Sequence, residues 1–542
     1  MIREDIYLLT KKLVNIRSIN GTKSEREIGE FIERYIREIP YFKQHPDRVI
    51  VRQLKNDNLH RRNVLALLIG EKDDNKKTIL FHGHTDTVGL EGYGKLEKYA
   101  TDPSKLLNEM LKLNLDEEVR KDLESGDYMV GRGACDMKSG DAVFLAILKE
   151  YAEHPEKLSG NILVSFNPVE ENLHTGMIES IEVINELKIK YGLDYILAIN
   201  NDFICPLFQG DTTKTIYTGM VGKLLPCFYI QGKETHVGQC FEGFDASTVA
   251  AKLVDKINLN MDFSDVYQDE YSYPPSVLKV KDLKEWYNVQ TAAEAFVYFN
   301  YFVHNTSIGD IVEKLKNVAS EVFDEALNKI KNNATKFSKL SNKDLADYNY
   351  TKLIFTYDEL YNIAAKNPNF SEDRLTIILH EEIRKGTDKR EVAIAMIRYL
   401  LQVSNITSPA IVLYFAAPFC PHSTLQGENE HLINEIKNIA QKVAEETGEQ
   451  YRFMKFYPSL SDSSYLKIDD TDASVEMLIN NFPGSHELYP LPVKEIRELD
   501  IPAINYGCYG KDAHKWTERV NIPYTFGVLP LLVKKTIEEM LM

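Results

Sequence analysis

ILFHGHTDTVG, residues 79–89, joins a short apolar run to two histidines and an aspartate. The apolar half reads as a buried strand of the kind that fills the middle of a parallel sheet. A single histidine there would be an ordinary core residue. Two imidazoles and a carboxylate at the C-terminal end of one strand are what a site needs rather than what a core needs.

The segments on either side repeat the pattern. NVLALLIG (63–70), KLSGNILVSFNPVEE (157–171) and DYILAINND (194–202) are further strand-like runs. Helical spacing appears over 5–16, through Ile6, Leu8, Leu9, Leu13 and Ile16. It returns in Ile28, Phe31, Ile32, Tyr35 and Ile36, and over 141–152 and 177–190. Ser24 followed by Glu27 has the spacing of a capping box and predicts the start of the second helix. Strand alternating with helix predicts an α/β domain with a mostly parallel sheet, whose ligands lie at the carboxyl ends of the strands.

The pattern changes near residue 212. TIYTGMVGKLLPCFYIQGKE and WYNVQTAAEAFVYFNYFVHN are strand-like, and ASTVAAKLVDKINLN and IGDIVEKLKNVASEVFDEALNKIKN are helical. This order predicts an inserted two-layer α+β lid domain over 212–335. Residues 336–403 read as a helical insertion. PAIVLYFAAPF (409–419) reads as a buried strand, and an amphipathic helix follows over 428–447. The catalytic domain is therefore expected to comprise 1–211 and 404–542.

Bulk composition narrows the partners. Of 542 residues, 44% are hydrophobic and 27% charged, with a net charge of −17. That sign argues against nucleic acid, which needs clustered Lys and Arg. The N-terminal stretch lacks a long apolar core and no run of about 18 apolar residues occurs, so neither a signal peptide nor a membrane span is expected. The six cysteines are scattered without a C-x-x-C pair, which fits a reducing, cytoplasmic setting better than a disulfide or zinc-knuckle framework.

Acidic and histidine residues gather at five predicted strand ends or Gly-rich turns. His84 and Asp86 close the opening strand. Asp136 sits in GRGACDMKSG (131–140), Glu170 and Glu171 in NPVEENLHTG (167–176), Asp202 in AINNDF (199–203) and His514 in NYGCYGKDAHKWTE (505–518). Imidazole and carboxylate without thiolate suit Zn²⁺, Mn²⁺ or Co²⁺. Five protein ligands are too many for one tetrahedral catalytic zinc and fit two metals sharing a carboxylate. Such a pair, about 3.5–4 Å apart, activates a water and polarises a scissile carbonyl. One member of the adjacent acidic pair would bind metal and the other would act as general base.

GHTDTV, GRGACDMKSG, VEEN and GKDAHKWTE, in that order, resemble the aminoacylase, acetylornithine deacetylase and carboxypeptidase family of co-catalytic zinc metallohydrolases. The likeness runs from LVNIRSINGTKSEREIGEFI to IPAINYGCYGKDAHKWTERV. It implies that His84 and Asp202 hold one metal, that Glu171 and His514 hold the other, and that Asp136 bridges them. Glu170 would be the general base, and Asp86 would orient His84 through its second ring nitrogen. IQGKETHVG resembles the family's lid strand, so His236 would stabilise the oxyanion. The lid is also where relatives dimerise, which implies a homodimer through the lid unless the 336–403 insertion replaces or blocks that contact. YGKLEKYATDPSKLLNEMLK (93–112) and TYDELYNIAAKN (356–367) resemble the long, arginine-utilisation branch. The implied substrate is a small amino-acid derivative, N-acyl or N-carbamoyl, in arginine, citrulline or ornithine metabolism. Aminopeptidase or dipeptidase activity and a non-catalytic binding protein are the alternatives.

The sequence departs from the family in places. Val169 stands where an Asp usually precedes the two glutamates. Asn200 and Asn201 crowd Asp202 as alternative ligands. VYFNYFVHN (297–305) has no arginine for a substrate carboxylate. His82 reads as structural and His174 as a loop residue. HEEIR (380–384) lacks the second histidine of a zincin helix. Cys135 has no partner base to make it a nucleophile.

Overall fold

A computed structural model describes residues 2–343 and 350–541. The chain divides into two compact units. The first contains Met1–Val221, Pro421–Asp469 and Pro492–Met542. The second contains Gly222–Cys420 and Asp470–Leu491.

The first unit is built on an eight-stranded sheet. Its order is Val49–Gln53, Arg62–Ile69, Asn161–Asn167, Lys77–His84, Asp194–Asn200, Ala503–Tyr506, Lys214–Tyr217, Tyr451–Met454. The four strands in its middle, Asn161–Asn167, Lys77–His84, Asp194–Asn200 and Ala503–Tyr506, run parallel to one another. They are buried along almost their whole length, as the unbroken apolar runs predict. The predicted helices form as Ile2–Asn15, Ser24–Glu38, Lys138–Ala152 and Thr175–Tyr191. Phe144 of the third stacks on Phe81 of the strand Lys77–His84, with ring centroids 4.7 Å apart. The capping box does not form. The second helix begins at Ser24 itself, after Lys23, and Ser24 Oγ instead pairs with Thr22 Oγ1 at 2.8 Å.

The second unit carries a six-stranded sheet. Its main path runs Ser276–Asp282, Glu294–Val303, Pro226–Gln231, Ala410–Phe415, Leu353–Thr356, and Gly222–Leu224 joins Glu294–Val303. The helices Ala246–Ile257 and Ile308–Ser341 belong to it.

The domain boundaries read from sequence need correction. Lys214–Tyr217 pairs with Tyr451–Met454 and Ala503–Tyr506 in the first unit, so the chain leaves that unit after Val221 rather than at 212. Ala410–Phe415 does not return to the first sheet. It pairs with Pro226–Gln231 and with Leu353–Thr356 in the second. Residues 350–403 are not a separate helical insertion. They supply that edge strand and the helices Tyr357–Ala364, Glu372–Lys385 and Val392–Val403, which share one hydrophobic cluster with the sheet strands. Residues 344–349 of the expected insertion lie outside the described residues. Among the described residues, no helix is long and apolar enough to cross a membrane.

Candidate active site

The four parallel strands deliver the site. His84 ends one of them, Glu170 and Glu171 follow the next, Asp202 follows the third and His514 lies in the loop beyond the fourth. Asp136 arrives in the turn before the helix Lys138–Ala152. That helix approaches the strand closely at Gly83, where a Cβ would lie 2.4 Å from Asp141 Oδ1. A glycine between two histidines is therefore a packing requirement.

Two groups of donors result: His84, Asp136 and Asp202, and Asp136, Glu171 and His514. In each, one ligand atom per residue lies within 4.8 Å of the others. Asp136 belongs to both groups and turns one oxygen to each histidine. Its Oδ1 is 2.9 Å from His84 Nε2 and its Oδ2 is 3.0 Å from His514 Nε2. His514 Nε2 also lies 3.1 Å from Glu171 Oε1. Asn200 and Asn201 use their side-chain amides locally. Asn200 Nδ2 donates to Ser461 Oγ and Asn201 Nδ2 to the Gly140 carbonyl, whereas Asp202 stands in the first donor group.

The charges in this cluster are strongly coupled. Burial opposes the His84 imidazolium, but Glu170, Asp136 and Asp86 outweigh it and hold its pKa well above 6.5. Burial likewise opposes His514, and its hydrogen bonds with Asp136 and Glu171 carry it up to about 11. Burial raises Glu170 and Glu171, and burial together with Asp136 pushes Asp202 up to about 8. So many buried carboxylates stay ionised together only beside matching positive charge. Two divalent cations would supply it, and the all-N/O donor set fits them.

Asp86 does something other than expected. Its nearest side-chain oxygen is 3.8 Å from His84 Nδ1, and it is the Asp86 carbonyl oxygen, at 3.1 Å, that meets that nitrogen. The carboxylate instead accepts from the backbone N–H groups of Glu170 and Glu171, at 3.0 and 3.1 Å, and from Asn20 Nδ2. It fixes the acidic pair rather than the imidazole. His82 is structural, as read: it is bonded to Ser463 Oγ at 2.9 Å, and burial and His84 push its pKa down to about 3. His236 belongs to the second unit. It is exposed and caps the turn Val237–Glu242 by accepting from Gly238 N.

Several supporting residues escaped the sequence reading. Glu518 is buried and accepts from the N–H groups of Cys135 and Asp136 through Oε1, while its Oε2 pairs with Arg132 at 2.6 Å. Arg132 in turn donates to the carbonyl of His514. One ion pair thus braces two of the donors, and both members lie within the quoted motifs GRGACDMKSG and GKDAHKWTE. Glu25 is buried in the second helix and accepts from Val169 N at 3.0 Å, and also from Gly21 N and Arg61. It anchors Val169 at φ 72°, a left-handed conformation unusual for a β-branched residue. Residues 90–130 form a small hydrophobic cluster of their own, against which Trp516, two residues past His514, packs.

A parallel sheet that gathers two histidines and two further carboxylates around one shared aspartate is the frame of a metallohydrolase. The chain belongs to peptidase family M20/M25/M40, whose model matches residues 80–488, and it is a metallohydrolase of the peptidase or amidohydrolase kind. It is 37% identical to Protein RocB of Bacillus subtilis, over 99% of this chain and 95% of that protein. It is 32% identical to the uncharacterised protein YqjN of the same organism, over 99% and 97%. The fold is shared with aminopeptidase PepT from Bacillus cereus, at a TM-score of 0.53 and 14% identity, covering 99% of this chain and 98% of that one.

Proposed function

We propose that this protein hydrolyses an amide-type C–N bond of a small amino-acid derivative at a dinuclear centre. The observation that carries the reading is Asp136, with one carboxylate oxygen on each histidine. In this reading His84 and Asp202 hold one cation, Glu171 and His514 hold the other, and Asp136 bridges. Zn²⁺ suits the donors, with Mn²⁺ and Co²⁺ as alternatives. Bound there, the cations would polarise the scissile carbonyl and lower the pKa of the attacking water.

Glu170 is the proposed base. It belongs to neither donor group, yet it adjoins Glu171 and is buried. Asp86 holds its backbone N–H, which leaves the carboxylate to take a proton from water and return it to the departing nitrogen. His236 is assigned to the oxyanion on the family likeness alone. That likeness, to the arginine-utilisation branch, directs the substrate search to N-acyl and N-carbamoyl derivatives of arginine, citrulline and ornithine. We place the protein in the cytoplasm, on its six scattered cysteines, which form no disulfide among the described residues. We place a second copy on the edge strand Ser276–Asp282, where Leu278 and Val280 are half exposed.

The test is turnover of a pooled panel of these derivatives and of dipeptides, followed by mass spectrometry with Zn²⁺- or Mn²⁺-loaded protein. One panel member should be consumed. Glu170→Gln should slow that turnover on the order of 10²- to 10⁴-fold while both ions stay bound. Unchanged turnover in this variant sinks the assignment of the base.

A further inference from the structure

The turn that carries Glu170 is closed at both ends. Val169 opens it at φ 72° and His174 ends it at φ 54°, and the N–H groups of Leu173 and His174 both donate to the Val169 carbonyl. His174 is fully buried at the start of the helix Thr175–Tyr191. Its Nδ1 lies 3.0 Å from Asp462 Oδ1 and 3.7 Å from Glu170 Oε1. A nitrogen facing two carboxylates serves them as a proton donor. The shorter distance makes Asp462 the hydrogen-bond acceptor, and the same imidazole edge then faces the Glu170 carboxylate. Tyr465 packs on the ring, with centroids 5.3 Å apart.

Asp462 is itself held firmly. It lies in residues 461–465, a segment that meets two neighbouring strands of the parallel sheet and the turn before the helix Thr175–Tyr191. Ser461 Oγ accepts from Asn200, Asp462 binds His174, and Ser463 Oγ pairs with His82. Asn200 precedes Asp202 by two residues, and His82 precedes His84 by two. The segment thus reaches the ends of Lys77–His84 and Asp194–Asn200, next to their donors, and it also reaches the turn of the base beyond Asn161–Asn167.

We propose that His174 and Asp462 are positioning residues for Glu170: the Asp462–His174 hydrogen bond sets the imidazole edge against the Glu170 carboxylate and fixes where its proton-accepting oxygen points. This rests on the reading of Glu170 as base. A general base works only when its oxygen is aimed at the proton it removes, and a glutamate side chain is otherwise free to turn.

The test uses full-length His174→Asn and Asp462→Asn with the substrate found in the panel. Each should lower kcat about 10- to 100-fold, with KM within about twofold of wild type. Zn²⁺ affinity by calorimetry should change by no more than about twofold, since neither residue belongs to a donor group. Unchanged kcat, or a Zn²⁺ affinity that falls in proportion to kcat, overturns the proposal. A second measurement needs no substrate and no destabilising variant. In the Zn²⁺-loaded protein labelled with ¹⁵N-histidine, the His174 ring resonances should shift on Glu170→Gln, and resonances that stay in place overturn the proposal. If wild type consumes no panel member, the catalytic reading fails, and the histidine spectrum still decides whether His174 is coupled to Glu170.

Discussion

The two donor groups share Asp136 and otherwise differ in kind. His84, Asp136 and Asp202 are all buried, and two of them sit at the ends of adjacent strands of the central sheet. Of the other group, Glu171 is partly buried and the His514 side chain is 51% exposed, on a loop beyond its strand. Regular secondary structure holds a ligand in place with little freedom, whereas a loop needs bracing from other residues. The Arg132–Glu518 pair and Trp516 provide that bracing around His514. The comparison teaches that one half of the site is built into the core and the other half is assembled on it.

Asp136→Asn should break the comparison altogether, because it removes the carboxylate that both donor groups share. Metal content measured after gel filtration should fall for both ions, and the loss of turnover should exceed that of Glu170→Gln. Retention of two ions would show that the two groups do not share this carboxylate.

Separating the halves gives the next largest effect. His514→Ala should lower bound metal from two ions to one, with the remaining ion exchanging slowly against added chelator. Asp202→Asn should instead leave an ion that exchanges fast. The opposite order would mean that burial does not govern retention here.

Glu518→Gln sharpens the contrast further. It leaves Arg132 buried without its carboxylate, which costs about 3–5 kcal/mol of stability by the usual scale for a broken buried pair. Chemical denaturation should read that loss. The same variant should weaken the open ion more than the closed one, because Arg132 also holds the His514 carbonyl.

The smallest effect is a pH dependence. Without metal, burial and Asp136 raise Asp202 from 3.8 to about 8, so native stability falls as pH rises through that interval. His514 is raised from 6.5 to about 11, so its contribution is complete below 6.5 and is lost as pH rises through 11. Both run the same way. Cations replace the protons and abolish the loss. The rise in Tm on adding Zn²⁺ should therefore be larger at pH 8 than at pH 6, at equal free metal concentration. An equal or smaller rise would contradict the proton-loaded picture of the metal-free site.

The catalytic sheet was legible because its middle strands are buried on both faces. Apolar runs such as ILF and NVLALLI announce that burial directly, and the polar residues that interrupt them mark the strand ends. The donors were legible for the same reason: His84, Asp202 and the glutamates are the points where apolar runs stop. The second unit was harder to read. PAIVLYFAAPF is a buried strand in either sheet, and nothing local says which neighbour it pairs with. Strand partners are long-range facts, and Ala410–Phe415 finds Pro226–Gln231 across nearly two hundred residues of chain. The supports of the site were illegible for a related reason. Glu25, Asp462 and Glu518 look like ordinary surface acids in sequence, and only the fold buries them beside the donors.

The strand Ala503–Tyr506 lies inside the sheet, between Asp194–Asn200 and Lys214–Tyr217, although it comes almost last in the chain. During synthesis the first donor group is complete once residue 202 has emerged. The second must wait for His514, and the sheet itself cannot close until a late segment enters between two strands made some three hundred residues earlier. The growing polypeptide thus acquires its two donor groups at separate moments, the core-built one first. A ribosome stalled between them would hold a chain with one donor group and without the other.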